Sequence, residues 1–199
     1  MNFLAHAYLS GNNDDILIGN FIADAVKGNH IERFREGIRK GIRLHREIDT
    51  YTDQHEVFLR SKHRINEEYG KFSGVIIDIY YDHFLAKNWT DYSDTTLRWF
   101  AKNTHSVLLS NFNHLPVRVQ GFLPFLIQHR RLESYASIEG IVQAIKIMGK
   151  YSSLPSKSDA AMDCLMNNYN SLENNFNAFM AELIQYVSQE FDIELNAKK

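Results

Sequence analysis

A single cysteine, Cys164, leaves the 199-residue chain without any internal disulfide. The lack of a cysteine framework fits a reducing compartment, with the cytoplasm as the default. Prolines number only 3, at positions 116, 124 and 155, and alternating β-branched residues are scarce, so a sheet has little support. No apolar run approaches the roughly 20 residues that a bilayer crossing needs; the longest stretches are interrupted by Asp24, Asp78 or Asp82. The opening segment, Met1 to Leu9, is apolar but has no basic flank and is interrupted by His6, so it does not read as an export signal. Charge of one sign is not in excess either. With 22 basic and 24 acidic residues the formal charge is -2, which argues against a nucleic-acid or membrane-surface partner. Also missing are a P-loop, a G-x-S-x-G elbow, a G-x-G-x-x-G turn and any Cys-based metal spacing. Phosphate-cradling loops, dinucleotide binding and nucleophilic serine chemistry therefore have no support.

What is present is helical periodicity. Hydrophobic residues make up 44% of the chain, enough to bury a sizeable core in one domain spanning residues 1–199. Apolar residues at three- and four-residue spacing predict helices near 2–10, 14–27, 31–51, 55–69, 73–88, 94–111, 117–130, 137–149 and 158–190. Ser10 to Asn13, Gly28-Asn29, Gly70 and the Ser152–Ser158 stretch around Pro155 punctuate them. The expected class is all-α, a single-domain helical bundle.

The informative feature is charge in apolar surroundings, because an unpaired buried carboxylate costs several kcal/mol or must take up a proton. Asp24 is the only ionisable side chain between Ile16 and Val26. Asp78 and Asp82 are the only acids between Ser73 and Ala86, on a helix that reads as buried all round. Four residues apart, they share one helical face, where two like charges repel unless a cation lies between them. Each carboxylate could instead meet an arginine or cap a neighbouring helix.

The segment from Ile31 to Asp49 adds nitrogen donors. Its periodicity puts His45 and Asp49 about 40° apart, in the sector of Ile31, Phe34, Ile38 and Ile42. A core-facing His and Asp at i, i+4 can both reach one divalent ion, a pairing that suits Mn²⁺ or Fe²⁺, although a hydrogen-bonded His–Asp pair uses the same residues. His6, alone on an apolar helix, is a sixth candidate with a satisfied core histidine as its alternative. Arg35, Arg39, Arg43 and Arg46 align on an adjacent stripe. They form either a salt-bridged solvated face or an anion dock, with Arg46 beside His45 presenting a donor fork to a phosphate and the others meeting an acidic protein.

The ordered string Asn2-Phe-Leu-Ala-His6, Gly19-Asn-Phe-Ile-Ala-Asp24, Gly41-Ile-Arg-Leu-His45-Arg46-Glu-Ile-Asp49 and Asp78-Ile-Tyr-Tyr-Asp82-His83-Phe84-Leu85 resembles the bacterial acyl carrier protein phosphodiesterases. The resemblance continues more loosely to Phe176 and Phe179. It implies an HD-domain-like all-helical fold, a divalent metal, usually Mn²⁺ with Mg²⁺ or Fe²⁺ as alternatives, and removal of 4'-phosphopantetheine from holo acyl carrier protein. By position it implies metal ligation by Asp24, His6, His45, Asp49, Asp78 and Asp82, some of them orienting groups rather than ligands. Arg46 is then expected to stabilise charge on the phosphate, and His83 to protonate the leaving serine oxygen. Arg35, Arg39 and Arg43 would meet the carrier protein. Where the family often has proline, this chain has Glu56 and Ala181. Two other readings compete: a metal phosphohydrolase for a nucleotide or other small phosphoester, and a non-catalytic helical binding module with structural salt bridges.

Overall fold

The computed structural model describes residues 2–195. Every regular element among them is a helix, in agreement with the all-α expectation. In chain order these are α1 (Phe3–Tyr8), α2 (Asp14–Ile22), α3 (Glu36–Gln54), α4 (Glu56–His63), α5 (Asn66–Tyr69), α6 (Ser73–Lys87), α7 (Trp89–Tyr92), α8 (Leu97–Ser110), α9 (Val117–Gln128), α10 (Arg131–Ser134), α11 (Ile138–Tyr151), α12 (Ser158–Asn167) and α13 (Tyr169–Phe191), with short 3-10 turns between some of them. Among the described residues no helix is long and apolar enough to cross a membrane.

Helix α6 is the axis of the core. Ile76, Ile77, Ile79, Tyr80, Tyr81, Phe84 and Leu85 are all fully buried, each contributing about 1.5–3 kcal/mol of apolar burial. Tyr81 packs against Phe58 of α4 and against Phe176 and Phe179 of α13, which wraps α13 and α4 onto α6.

Helices α2 and α3 cross at backbone contact. A Cβ on Gly19 would stand 2.0 Å from the Ile38 carbonyl oxygen and 2.9 Å from Gly41 Cα, and one on Gly41 would meet the Ile16 oxygen at 2.2 Å. Only glycine permits this approach. It brings Asn20, next to Gly19, against His45, one turn after Gly41.

The helix ends depart from the periodicity in four places, the first being the predicted 31–51 helix, whose start is a 3-10 turn, Gly28–Arg33, so that α3 begins only at Glu36 and runs on to Gln54. The predicted 14–27 helix ends at Ile22, and a 3-10 turn, Ala23–Ala25, carries Asp24 out of the helical face. The predicted 55–69 helix breaks around Arg64 and Ile65 into α4 and α5. The predicted 158–190 helix breaks at Asn168, whose side chain donates to the Cys164 carbonyl and accepts from Arg64, competing with the backbone ladder. The short helices α7 and α10 leave no periodic trace in the sequence.

Candidate metal centre

Helix α1 is held at its N-terminus by two side chains. Asn2 Oδ1 accepts from the Phe3 N–H, while Asp82 Oδ2 and Oδ1, reaching up from α6, accept from Leu4 and Ala5 at 2.9 and 3.1 Å. This satisfies donors that a helix start leaves open, with the carboxyl oxygens at the positive end of the helix. One turn on, the anchored helix presents His6.

Asn20 of α2 then joins three elements. Its Nδ2 donates to the His6 carbonyl at 2.8 Å and to Ser10 Oγ at 3.1 Å, which fixes the amide's orientation. Its Oδ1 therefore points at both imidazoles, 2.8 Å from His6 Nδ1 and 3.1 Å from His45 Nδ1. An amide oxygen can only accept, so both histidines carry their proton on Nδ1 and turn Nε2 toward the same space. The rings stack with centroids 4.1 Å apart.

Into that space comes Asp49, one turn after His45 on α3. Its Oδ1 lies 3.2 Å from His6 Nε2 and its Oδ2 lies 3.2 Å from His45 Nε2. Asp24 Oδ1 stands 3.4 Å from His45 Nε2 on the solvent side. One donor atom each from His6, His45 and Asp49 falls within 4.8 Å of the others.

The electrostatics divide the two rings. Burial lowers the His6 pKa to about 4 despite the neighbouring Asp49, so its Nε2 carries a lone pair. His45 goes the other way: burial opposes its charge, but Asp24 and Asp49 outweigh that and raise it to about 9. The Asp49 carboxyl is also opposed by burial, yet contact with His45 and His6 holds it well below the usual carboxylate range. His45 likewise lowers Asp24. His6 Nε2 makes no hydrogen bond although a carboxylate oxygen lies 3.2 Å away. A buried nitrogen lone pair facing a carboxylate is unfavourable unless a cation lies between them, so this donor set fits a divalent ion. Asn20, which orients both imidazoles from behind, is the kind of partner that metal-bound histidines require.

The set opens on a cleft of about 400 Å³ lined by Asp24, His45, Asp49, Thr52, Asp53, Asp78, Gly74, Val75, Lys62 and Lys71. Asp24 is at its mouth, with a side chain 83% exposed. The apolar residues around it in sequence had suggested a buried acid, but the 3-10 turn reverses that. Asp78 faces the same cleft from α6, and burial raises its pKa.

The remaining sequence candidates sit elsewhere. Asp82 is occupied at the start of α1, the helix-capping alternative for a buried acid, and burial pushes its pKa up to about 7. His83 is engaged at both nitrogens, Nδ1 with the Tyr135 carbonyl at 2.8 Å and Nε2 with Tyr169 Oη at 2.7 Å, and it does not line the cleft. Arg46 is exposed and donates to the Val26 carbonyl at 3.2 Å, bracing the segment that follows Asp24 rather than entering the cleft. The other arginines are ion-paired within the chain: Arg35 with Asp15, Arg39 with Glu32 and Glu36, and Arg43 with Glu36.

The acyl carrier protein phosphodiesterase profile matches residues 1–183. The chain belongs to the acyl carrier protein phosphodiesterase family. Members of that family are, by its name, phosphoric diester hydrolases. Proteins named acyl carrier protein phosphodiesterase share 30% identity over 93% of this chain and 96% of the relative in Yersinia pestis, and 32% over 75% and 76% in Photorhabdus laumondii. In Pectobacterium atrosepticum the identity is 33% over 74% of this chain and 77% of the relative. No solved structure gives a significant match.

Proposed function

We propose that this protein hydrolyses the phosphodiester that joins 4'-phosphopantetheine to a serine of holo acyl carrier protein, releasing apo carrier protein, and that it does so in the cytoplasm with a divalent metal such as Mn²⁺. The observation that carries this reading is the His6–His45–Asp49 donor set, with His6 Nε2 buried 3.2 Å from Asp49 yet outside any hydrogen bond, beside a cleft of a chain whose family match spans residues 1–183.

In this reading His6 Nε2, His45 Nε2 and Asp49 hold the metal, and Asp24 reaches it from the open side. When bound, such an ion supplies Lewis-acid polarisation of a phosphoryl oxygen and lowers the pKa of water. The protein's own groups do the rest. Asn20 keeps both Nε2 atoms turned toward Asp49, and the low pKa of Asp49 keeps it ionised. Asp24, also ionised, is placed to accept a proton from an incoming water. Asp78, whose carboxyl is raised by burial, is the cleft acid best able to hold a proton for the departing serine oxygen.

Incubation of the purified protein with holo carrier and Mn²⁺, with and without chelator, tests this by the carrier's mass. A chelator-sensitive loss of the phosphopantetheine mass is the expected result. An unchanged mass, from protein that nevertheless binds metal, would favour a small phosphoester substrate.

A further inference from the structure

Besides its carboxylates, the cleft is lined by Lys62 of α4 and Lys71 of the 3-10 turn Gly70–Phe72 that precedes α6. Unlike Lys87 and Lys157, which pair with Glu173 and Glu68, neither forms a salt bridge among the described residues. This is notable because Asp24, Asp49, Asp53 and Asp78 line the same space. The Lys62 stem runs along Gly74, with Cδ and Cε 4.0 Å from where a Cβ there would stand, and Lys71 Nζ sits 5.1 Å from the centroid of the Phe72 ring. The cleft thus combines an acidic, histidine-bearing part with two lysines that form no salt bridge among the described residues. An anion entering it would meet positive charge that is not already committed, whereas Arg46 stays outside and its guanidinium is engaged with Val26.

We propose that Lys62 and Lys71 form the anion-binding part of this cleft and take the non-bridging oxygens of a phosphate or phosphodiester, with the His6–His45–Asp49 part left for the metal. The inference rests on reading the cleft as a phosphodiester site. Two flexible ammonium groups, acting as point charges rather than as a rigid fork, suit a phosphorus centre whose oxygens move during reaction.

Calorimetric titration of the Mn²⁺-supplied protein with inorganic phosphate tests the proposal, using wild type, Lys62→Met, Lys71→Met and the double variant. Manganese per chain and thermal unfolding are measured on the same samples. The expected result is phosphate binding weakened about tenfold in each single variant, with metal content and unfolding unchanged. Lys62→Arg, which keeps the charge, should recover part of the affinity. With holo carrier as substrate, the same substitutions should raise KM. Wild type that binds phosphate in this lysine-dependent way but leaves holo carrier intact would remove the carrier reading and still support the anion site. Phosphate bound equally by wild type and the double variant, or not bound by wild type, would overturn the proposal.

Discussion

The imidazole rings of His6 and His45 stack 4.1 Å apart with both Nδ1 atoms on the single oxygen of Asn20. Two imidazolium ions in that arrangement would repel, and the structure resolves the conflict by keeping His6 neutral while His45 holds a proton.

A pH dependence follows. Metal must displace the His45 proton, so below a pKa of about 9 each bound ion should release close to one proton. Apparent affinity should then climb about tenfold per pH unit up to that value and level off above it. Calorimetry in buffers of different ionisation enthalpy measures the proton directly. In metal-free protein the sign for stability is the reverse: the His45 pKa is raised from 6.5, so its stabilising contribution is complete below 6.5 and is lost as pH rises through about 9. Thermal unfolding of the metal-free protein across that window should show the decline.

Asn20→Leu removes the acceptor shared by the two rings. Metal affinity should fall by about 10- to 100-fold, and the folded state should lose about 1–3 kcal/mol because the His6 carbonyl and Ser10 lose a partner as well. Metal titration and denaturant unfolding of the same variant read the two effects separately. An unchanged metal affinity would remove the orienting role.

The α2–α3 crossing makes a prediction about glycines. Alanine at position 19 would meet the Ile38 oxygen at 2.0 Å, and at position 41 the Ile16 oxygen at 2.2 Å. Neither backbone can give way cheaply, so each should destabilise by about 1–3 kcal/mol or more. Gly121, inside α9 with nothing within 4 Å of a built Cβ, should respond in the opposite sense, gaining about 0.5–1 kcal/mol as alanine. Thermal melts of the three variants compare them directly.

The arginine stripe is balanced within the chain, Arg39 by Glu32 and Glu36, and Arg43 by Glu36. Docking a carrier through it would require exchanging these pairs. Replacing Arg39 and Arg43 with alanine should therefore change KM for holo carrier by less than about fivefold. A much larger rise would locate the dock on this stripe.

The placement of these side chains was legible in the sequence where geometry follows from a single helix. His45 and Asp49, at i, i+4 on an amphipathic helix, had to share a face, and His6 stood out as a lone polar group on an apolar turn. Burial patterning failed where tertiary context decides. A buried acid reads the same whether it faces an ion or a helix start, so Asp82 looked like a ligand and turned out to hold α1 in place. Asp24 belongs to the cleft, but as an exposed group on a 3-10 turn that periodicity does not reveal. Asn20 lies in the same motif and went unnoticed because it carries no charge. Its signal was available, a carboxamide in the apolar run Ile16–Ile22 that a buried position obliges to bond. Lys62 and Lys71 were silent because lysines on polar segments look solvated. Only the fold shows them lining the same cleft as the acids.

The central claim is that His6, His45 and Asp49 hold the ion on which phosphodiester cleavage depends. The direct test is to strip wild type and Asp49→Asn of metal, return Mn²⁺ in steps, and follow the carrier's mass together with the manganese bound per chain. Wild type should release phosphopantetheine in proportion to bound metal, and Asp49→Asn should bind manganese weakly and leave the carrier intact. Cleavage by stripped wild type in the presence of chelator, or by Asp49→Asn at the wild-type rate, would contradict the account.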